Sequence, residues 1–355
     1  MSKGMTREQI IARLDENDLD YATLPLQDGA SLVISRRGGR IFGPFLSDEG
    51  ESALWVNEAF GQADAFADFL ASGAWNLGGS RIWIAPEIQY GVRDRQAFEE
   101  TLFWPEQVDP GTYELTRPKA DRVQLAQDMT LRAYNLASGE KELRLDRLIR
   151  PADNPLRNTS DFQATMAGVT YAGYQQTVTL SESKSDEVMS EAWCLTQLNP
   201  GGELIIPASP AVEFVDYLDP VGSLQTLGAN HVRLQITGDR QYKVGYKAAH
   251  VFGRLGYVGH LDDGRAFLLV RTFFNDPSLP YVEEPAHLPG HRGQSIHVYN
   301  DDGNLGGFGE MECNGRTIGG KTGRRSSTDA FALWFYAGTE KAVKGIALQL
   351  LGVEI

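Results

Sequence analysis

From Gly73 onward the chain reads as strands. Apolar and polar residues alternate in short runs over residues 112–115, 122–125, 129–134 and 141–150. The series continues through 175–180, 192–198, 203–207, 231–236, 242–246, 266–274, 295–300, 309–314, 331–336 and the C-terminal tail. A period of two marks half-buried strands, because successive side chains leave opposite faces of a sheet. Within 141–150, Leu143, Leu145 and, after a slip, Leu148 are predicted to face a core, with Arg144 and Arg150 turned to water or a ligand. Before Gly73 the pattern predicts two short helices. Thr6 and Gln9 form a capping-box signature at the first. Phe60, Ala63, Phe66, Ala67 and Leu70 recur at helical spacing over 59–70 in the second. Strands are predicted between them at 31–36, 40–45 and 54–57, and Gly38-Gly39 supplies a positive φ or a close backbone approach.

Turn signals separate the strands: Asp109-Pro-Gly, Asn199-Pro-Gly-Gly, Asp262-Asp-Gly and Asp301-Asp-Gly. Strands and helices do not alternate, which disfavours doubly wound and (β/α)8 architectures. No long linker or low-complexity stretch divides the chain. The expected fold is all-β, a large antiparallel sandwich with a few short helices. It comprises an N-terminal helical segment at 1–20 and one sandwich domain at 21–355.

Composition narrows the function. Apolar residues make up 42% of the 355, aromatics 10%, and Gly numbers 38; this is a turn-rich folded protein, not a disordered one. The net charge of −14 excludes a nucleic-acid partner, which needs a basic surface. No run of about 18 apolar residues suggests a membrane span. No secretory leader is readable at the N-terminus, so a cytoplasmic location is expected. Cys194 and Cys313 carry no zinc spacing and are expected as two buried thiols. The six histidines form no ligand motif, and His287 and His291 lie in a Pro-rich stretch, so neither a metal nor another cofactor is expected. Asn300-Asp-Asp-Gly-Asn lacks the acidic residue a calcium loop needs and reads as a hairpin turn.

Two segments concentrate chemistry. In Trp75-Asn-Leu-Gly-Gly-Ser-Arg-Ile-Trp-Ile-Ala-Pro-Glu-Ile-Gln-Tyr, Arg81 and Trp83 share a strand face, with Glu87 close behind. A guanidinium fork beside an indole plane suits a sugar or a carboxylate. A core Trp83 beside an Arg81–Glu87 salt bridge fits the same residues. In Gly309-Glu-Met-Glu-Cys-Asn, the side chains of Glu310, Glu312 and Asn314 project to one face. Neighbouring carboxylates raise one another's pKa and so prepare an acid or a base; a solvated strand face is the alternative. Lys243, Lys247, His250 and Arg254 form a cationic stretch in an acidic chain.

Taken in order, these segments resemble the galactose mutarotase-like (aldose 1-epimerase) superfamily. The early Gly-Gly-Arg-Ile-Phe-Gly strand, the Asn76-Leu-Gly-Gly-Ser-Arg-Ile-Trp segment and the late Gly309-Glu-Met-Glu-Cys-Asn-Gly strand carry the resemblance. It is closer to a bacterial branch than to true aldose epimerases. It implies a β-supersandwich whose concave sheet binds a carbohydrate, with Arg81 on sugar hydroxyls and Glu312 as base at the anomeric hydroxyl. The superfamily's acid is a His in an Asn-His-x-Tyr-Phe segment; the nearest match, Leu195-Thr-Gln-Leu-Asn-Pro-Gly-Gly, has none. His250, Lys243, Tyr246 and His297 are candidate replacements.

The expected function is therefore a carbohydrate-active enzyme, most simply a 1-epimerase. Glu312 and Glu310 would act as base and neighbour, with His250 a candidate acid. Arg81, Lys243 and Arg271 would grip oxygens and Trp83 and Trp193 would stack on the ring, with Glu87, Gln197, His297 and Asn314 completing the substrate contacts. A lyase or glycosidase on the same scaffold, and a non-catalytic sugar-binding protein, are the alternatives.

Overall fold

The computed structural model describes residues 4–184 and 187–355. Among these, the strands form two antiparallel sheets. A nine-stranded sheet runs in the order Tyr21–Pro25, Ser31–Ser35, Ile41–Phe45, Ser80–Ala85, Glu191–Leu198, Gly309–Asn314, Gln294–Asn300, Tyr242–Lys247 and Phe214–Asp216. A ten-stranded sheet faces it, with the long strands Arg122–Ala133, Gly139–Pro151, Thr170–Glu182 and Ser326–Gly338 at one side and Ala266–Phe273 near its middle. The main core fills the space between them, drawing Ile82, Leu145, Val178, Val298, Met311 and Leu333 from both sheets. The architecture is the all-β sandwich that the alternation predicts.

The first helix spans Arg7–Glu16, and its capping box is formed through Thr6 and Gln9 as the sequence signals. Ile10 and Leu14 bury its apolar stripe in a side core with Val33, Phe42, Phe60 and Phe66. The second predicted helix is split into a short turn at Glu58–Gly61 and a helix at Ala63–Ala71.

Three expectations are corrected. Residues 54–57 form no strand; only Val56 makes an isolated bridge, to Gly78. The C-terminal tail is not a strand but a helix, Glu340–Leu351. Val343, Ile346, Ala347, Leu350 and Leu351 recur at helical spacing and pack on the outer face of the ten-stranded sheet, with Thr339 capping the start and Gly352 the end. In Gly139–Pro151 there is no slip: alternation runs unbroken, so Arg147 is buried and Leu148 turns to the half-exposed face. The core face accepts Arg147 because Gly39 lies against it. The Arg147 Nη1 donates to the Gly39 carbonyl at 2.6 Å, and a Cβ on Gly39 would stand 2.6 Å from that nitrogen. Arg144 and Arg150 are exposed, as expected. Both cysteines are free and buried. Among the described residues, no helix is long and apolar enough to cross a membrane.

Candidate functional site

The site lies on the outer face of the nine-stranded sheet, where its middle strands bring alternating side chains into rows. Arg81 pairs with Leu195, Leu195 with Glu312, and Glu312 with His297. One row along, Gln197 pairs with Glu310, Glu310 with Tyr299, and Tyr299 with Lys243. A third row holds Trp83, Trp193 and Asn314. The period of two that identified the strands thus places every one of these side chains on one face.

Four connecting segments wall this face into a pocket of about 110 Å³. Trp75 and Trp104 come from the segments either side of the Ser80–Ala85 strand, Glu283 and Glu284 from the loop before Gln294–Asn300, and Leu305 and Phe308 from the turn before Gly309–Asn314. The Trp83 ring is 4.0 Å from Trp104, 5.3 Å from Trp75 and 6.0 Å from Trp193, centroid to centroid. The Arg81 guanidinium sits 4.0 Å over Trp83. An indole wall of this kind offers apolar faces for the C–H surface of a sugar ring and excludes water around the charges.

Each cation here is held by a carboxylate. Arg81 Nη1 donates to Glu310 Oε1 at 2.7 Å. Lys243 Nζ donates to Glu87 Oε2 at 2.7 Å and lies 3.9 Å from Glu312 Oε2. Burial works against the Lys243 ammonium, but Glu312, Glu87 and Glu283 outweigh it and raise its pKa, so it stays protonated. Trp193 Nε1 donates to Glu312 at 3.1 Å, and the Glu87 backbone N–H donates to Glu283. Burial pushes both Glu312 and Glu283 up to about 8. Lys243 pulls each back; Glu310 and Glu87 push Glu312 further up, and Glu87 does the same to Glu283. Near neutral pH these two groups hold protons yet release them readily. Glu284 differs: burial is outweighed by Arg95 and Arg292, each at 2.6 Å, and its carboxyl lies below the usual range.

Seven of the twelve residues singled out in the sequence line this pocket: Arg81, Trp83, Glu87, Trp193, Lys243, Glu310 and Glu312. Three more share the sheet face but sit behind the lining. Gln197 donates to Asn76 at 2.9 Å, Asn314 donates to Glu191 at 2.7 Å, and His297 Nε2 is 3.1 Å from the Tyr217 hydroxyl. Burial first, then Lys243, holds His297 well below the usual imidazole range, so it is neutral. The Tyr217 ring fits edge-on against His297 because the intervening residue is Gly245; a Cβ there would lie 2.7 Å from Tyr217 and 2.8 Å from His297.

The other two are placed elsewhere. Arg271 projects between the sheets, where it donates to the hydroxyls of Thr196 (2.7 Å), Tyr174 (3.2 Å) and Ser80 (3.3 Å). Its partners Ser80 and Thr196 have the parity opposite to Arg81, so no substrate in the pocket meets it. His250 sits in a short turn and accepts the Glu213 backbone N–H at 3.0 Å. Tyr246, also weighed as an acid, points into the core and donates to Gln225.

Strand alternation missed Glu283, Tyr217, Trp104 and Asp109. The sequence signals a turn at Asp109-Pro-Gly. Asp109 is buried and accepts from Arg40 and from Trp83 Nε1 (3.0 Å), with Arg81 Nε 4.0 Å away. The one available signal was composition: Trp104-Pro-Glu and Tyr281-Val-Glu-Glu-Pro set aromatic and acidic residues into segments with no period.

Solved structures similar to this chain include a galactose mutarotase-like protein from Lactobacillus casei, at 12% identity and a TM-score of 0.49 over 90% of this chain and 100% of that one. A galactose mutarotase related enzyme from Lactobacillus acidophilus matches at 9% identity and 0.48, over 90% and 99% of the two chains. An aldose epimerase homologue from C. elegans matches at 9% and 0.45, over 91% and 100%. No curated protein matches the chain. A family of unknown function, DUF6786, matches residues 16–355, and the chain belongs to that family.

Proposed function

We propose that the pocket binds a monosaccharide and catalyses its 1-epimerisation, with Glu312 as base and Glu283 as acid. One observation carries this reading. Two carboxyl groups that share Lys243 with Glu87 rather than each holding a cation line one aromatic-walled pocket, and both are raised to about 8. Two such groups let one be ionised while the other is protonated, which is what paired proton transfer needs. The order of the Arg81 and Glu312 strands supports the same reading, and Glu283 fills the role of the absent histidine.

In the reaction, the Glu312 carboxylate takes the proton of the anomeric hydroxyl. The C1 carbonyl forms as the bond from C1 to the ring oxygen breaks, and the ring oxygen takes the proton of Glu283. The open-chain aldehyde turns about the C1–C2 bond. Closure on the other face of the carbonyl returns the ring hydroxyl proton to Glu283 and the Glu312 proton to the new anomeric oxygen. Lys243, fixed by Glu87 beside Glu312, offsets the charge of whichever carboxylate is ionised. Proton elimination from an anionic sugar is less well supported, because Arg81 and Lys243 are already engaged by Glu310 and Glu87.

The test is Glu312→Gln, followed by NMR exchange between anomers of a panel of aldoses. Exchange is expected to fall by about 100-fold or more. Wild-type exchange should peak near pH 8, rising as Glu312 ionises and falling as Glu283 loses its proton. Glu283→Gln should remove the alkaline fall. Unchanged exchange in folded Glu312→Gln would remove the base, and binding without accelerated exchange in the wild type would leave a sugar-binding protein.

A further inference from the structure

Charge bookkeeping inside the pocket points to a class of sugar; the inference rests on the reading just given. Six glutamates line it against two cations, Arg81 and Lys243; with Glu99, which is exposed to solvent, and Glu284 set aside, Glu87, Glu283, Glu310 and Glu312 remain, so 4 − 2 leaves a surplus of two. Glu284 does not alter the count, since its own two arginines neutralise it. Arg81 is committed to Glu310 and Lys243 to Glu87, both at 2.7 Å. The surplus is therefore Glu312 and Glu283, and both are buried, at 1% exposure each.

A buried carboxylate without a counter-charge is costly. The two groups avoid the cost by holding protons. A ligand that brings its own positive charge removes the cost differently: it releases a proton and forms a charge-assisted hydrogen bond in a dry, low-dielectric site. The indole faces of Trp75 and Trp104 favour a cation as well. Arg81 lines the same pocket and places a guanidinium near a neutral hydroxyl oxygen elsewhere on the same ligand. An anionic sugar would meet four carboxyl groups and no uncommitted cation.

We propose that this pocket selects an amino sugar carrying a free ammonium group over its neutral, N-acetylated and uronic counterparts. The occupant fits as one ring, with hydroxyls toward Arg81 and the ammonium toward Glu283 and Glu312.

The experiment is calorimetry on the intact protein at about pH 7 in two buffers of different ionisation enthalpy. The probes are 2-amino-2-deoxyhexoses of gluco, galacto and manno configuration, each with its parent hexose, N-acetyl derivative and uronic acid. The best hexosamine is expected to bind at least about tenfold tighter than its parent and N-acetyl forms, a difference of one power of ten in Kd. The uronic acid should bind most weakly, and only the hexosamine should release protons. Glu283→Gln, with its fold checked by circular dichroism, should cut the preference below about threefold; Glu312→Gln provides the same test should Glu283→Gln fail to fold. A parent hexose or a uronic acid binding as tightly as the hexosamine overturns this inference. If that hexose still shows Glu312-dependent anomer exchange, the epimerase reading stands alone. Absence of binding and of exchange for every sugar overturns both.

Discussion

The outer face of the nine-stranded sheet and the space between the two sheets hold buried guanidinium groups in opposite ways. On the pocket face, Arg81 and Lys243 are matched to carboxylates, and carboxyl groups are in excess. Between the sheets, Arg271 and Arg147, both on strands of the ten-stranded sheet, are fully buried and donate to neutral oxygens, Arg271 to three hydroxyls and Arg147 to the Gly39 carbonyl and the Gln176 amide. The comparison separates two uses of a buried guanidinium. One is an element of an electrostatic site, coupled to groups that exchange protons. The other cross-links strands and sheets through the hydroxyls and carbonyls around it.

Substitution at Arg81 should break the comparison most sharply. Arg81→Met leaves Glu310 without its ion-pair partner in the pocket and removes a cation from the vicinity of Asp109. Breaking a buried pair on one side costs about 3–5 kcal/mol, which chemical denaturation would detect as a lower midpoint at unchanged slope. A loss below about 1 kcal/mol would show that water reaches Glu310 in the folded protein.

A smaller effect follows from Glu191, on the pocket side of the sheet and outside the lining. Its carboxylate accepts from Thr317 (2.7 Å), the Val282 backbone N–H (2.9 Å) and Asn314 (2.7 Å), and so anchors the segment that carries Glu283. Burial raises it from 4.5 to about 7 despite those bonds. The folded protein therefore keeps a proton that the unfolded chain has lost. Its contribution is complete below pH 4.5 and disappears as pH rises to about 7, a loss of roughly 3 kcal/mol. His297 acts oppositely: it is held neutral, so acid favours the unfolded chain, which takes up a proton below about pH 6.5. The difference between Glu191→Gln and wild type isolates Glu191. That difference should shift in favour of the variant as pH rises from 4.5 to 7, read as melting temperature. The Asn314 amide can turn over, since its Oδ1 has no partner, to accept from the new Gln. A difference independent of pH would show that Glu191 is ionised throughout.

The alternation that made the strands legible also made half of the site legible. Arg81 with Trp83, and Glu310 with Glu312, were paired on one face from spacing alone, because a strand fixes which side chains are neighbours. Spacing does not say which face meets the other sheet. Arg271 was placed with Arg81 for its charge, although its strand lies in the opposite sheet and its side chain meets the unexposed parity. The carboxyl of Glu283 was invisible for another reason. It reaches the pocket on a loop whose path is set by Glu87, 196 positions from Glu283, and by Glu191, 91 positions from Val282. The C-terminal helix was a misread period: its apolar residues fall at three and four, not two.

Arg271 gives the smallest predicted effect and the sharpest view of the space between the sheets. Two of its N–H groups, at Nε and Nη1, are buried without partners, so its charge is already poorly compensated. Arg271→Met exchanges that charge for an apolar side chain of similar length. Two of the three hydroxyls it leaves retain partners, Ser80 Oγ with Thr196 Oγ1 at 3.1 Å and with the Leu195 carbonyl at 3.0 Å. The loss of three hydrogen bonds and the relief of desolvation oppose each other, and a net change within about 1 kcal/mol is expected. A destabilisation of about 3 kcal/mol would show that the three hydrogen bonds of Arg271 outweigh the desolvation of its charge, so that the guanidinium is a net stabilising cross-link between the sheets.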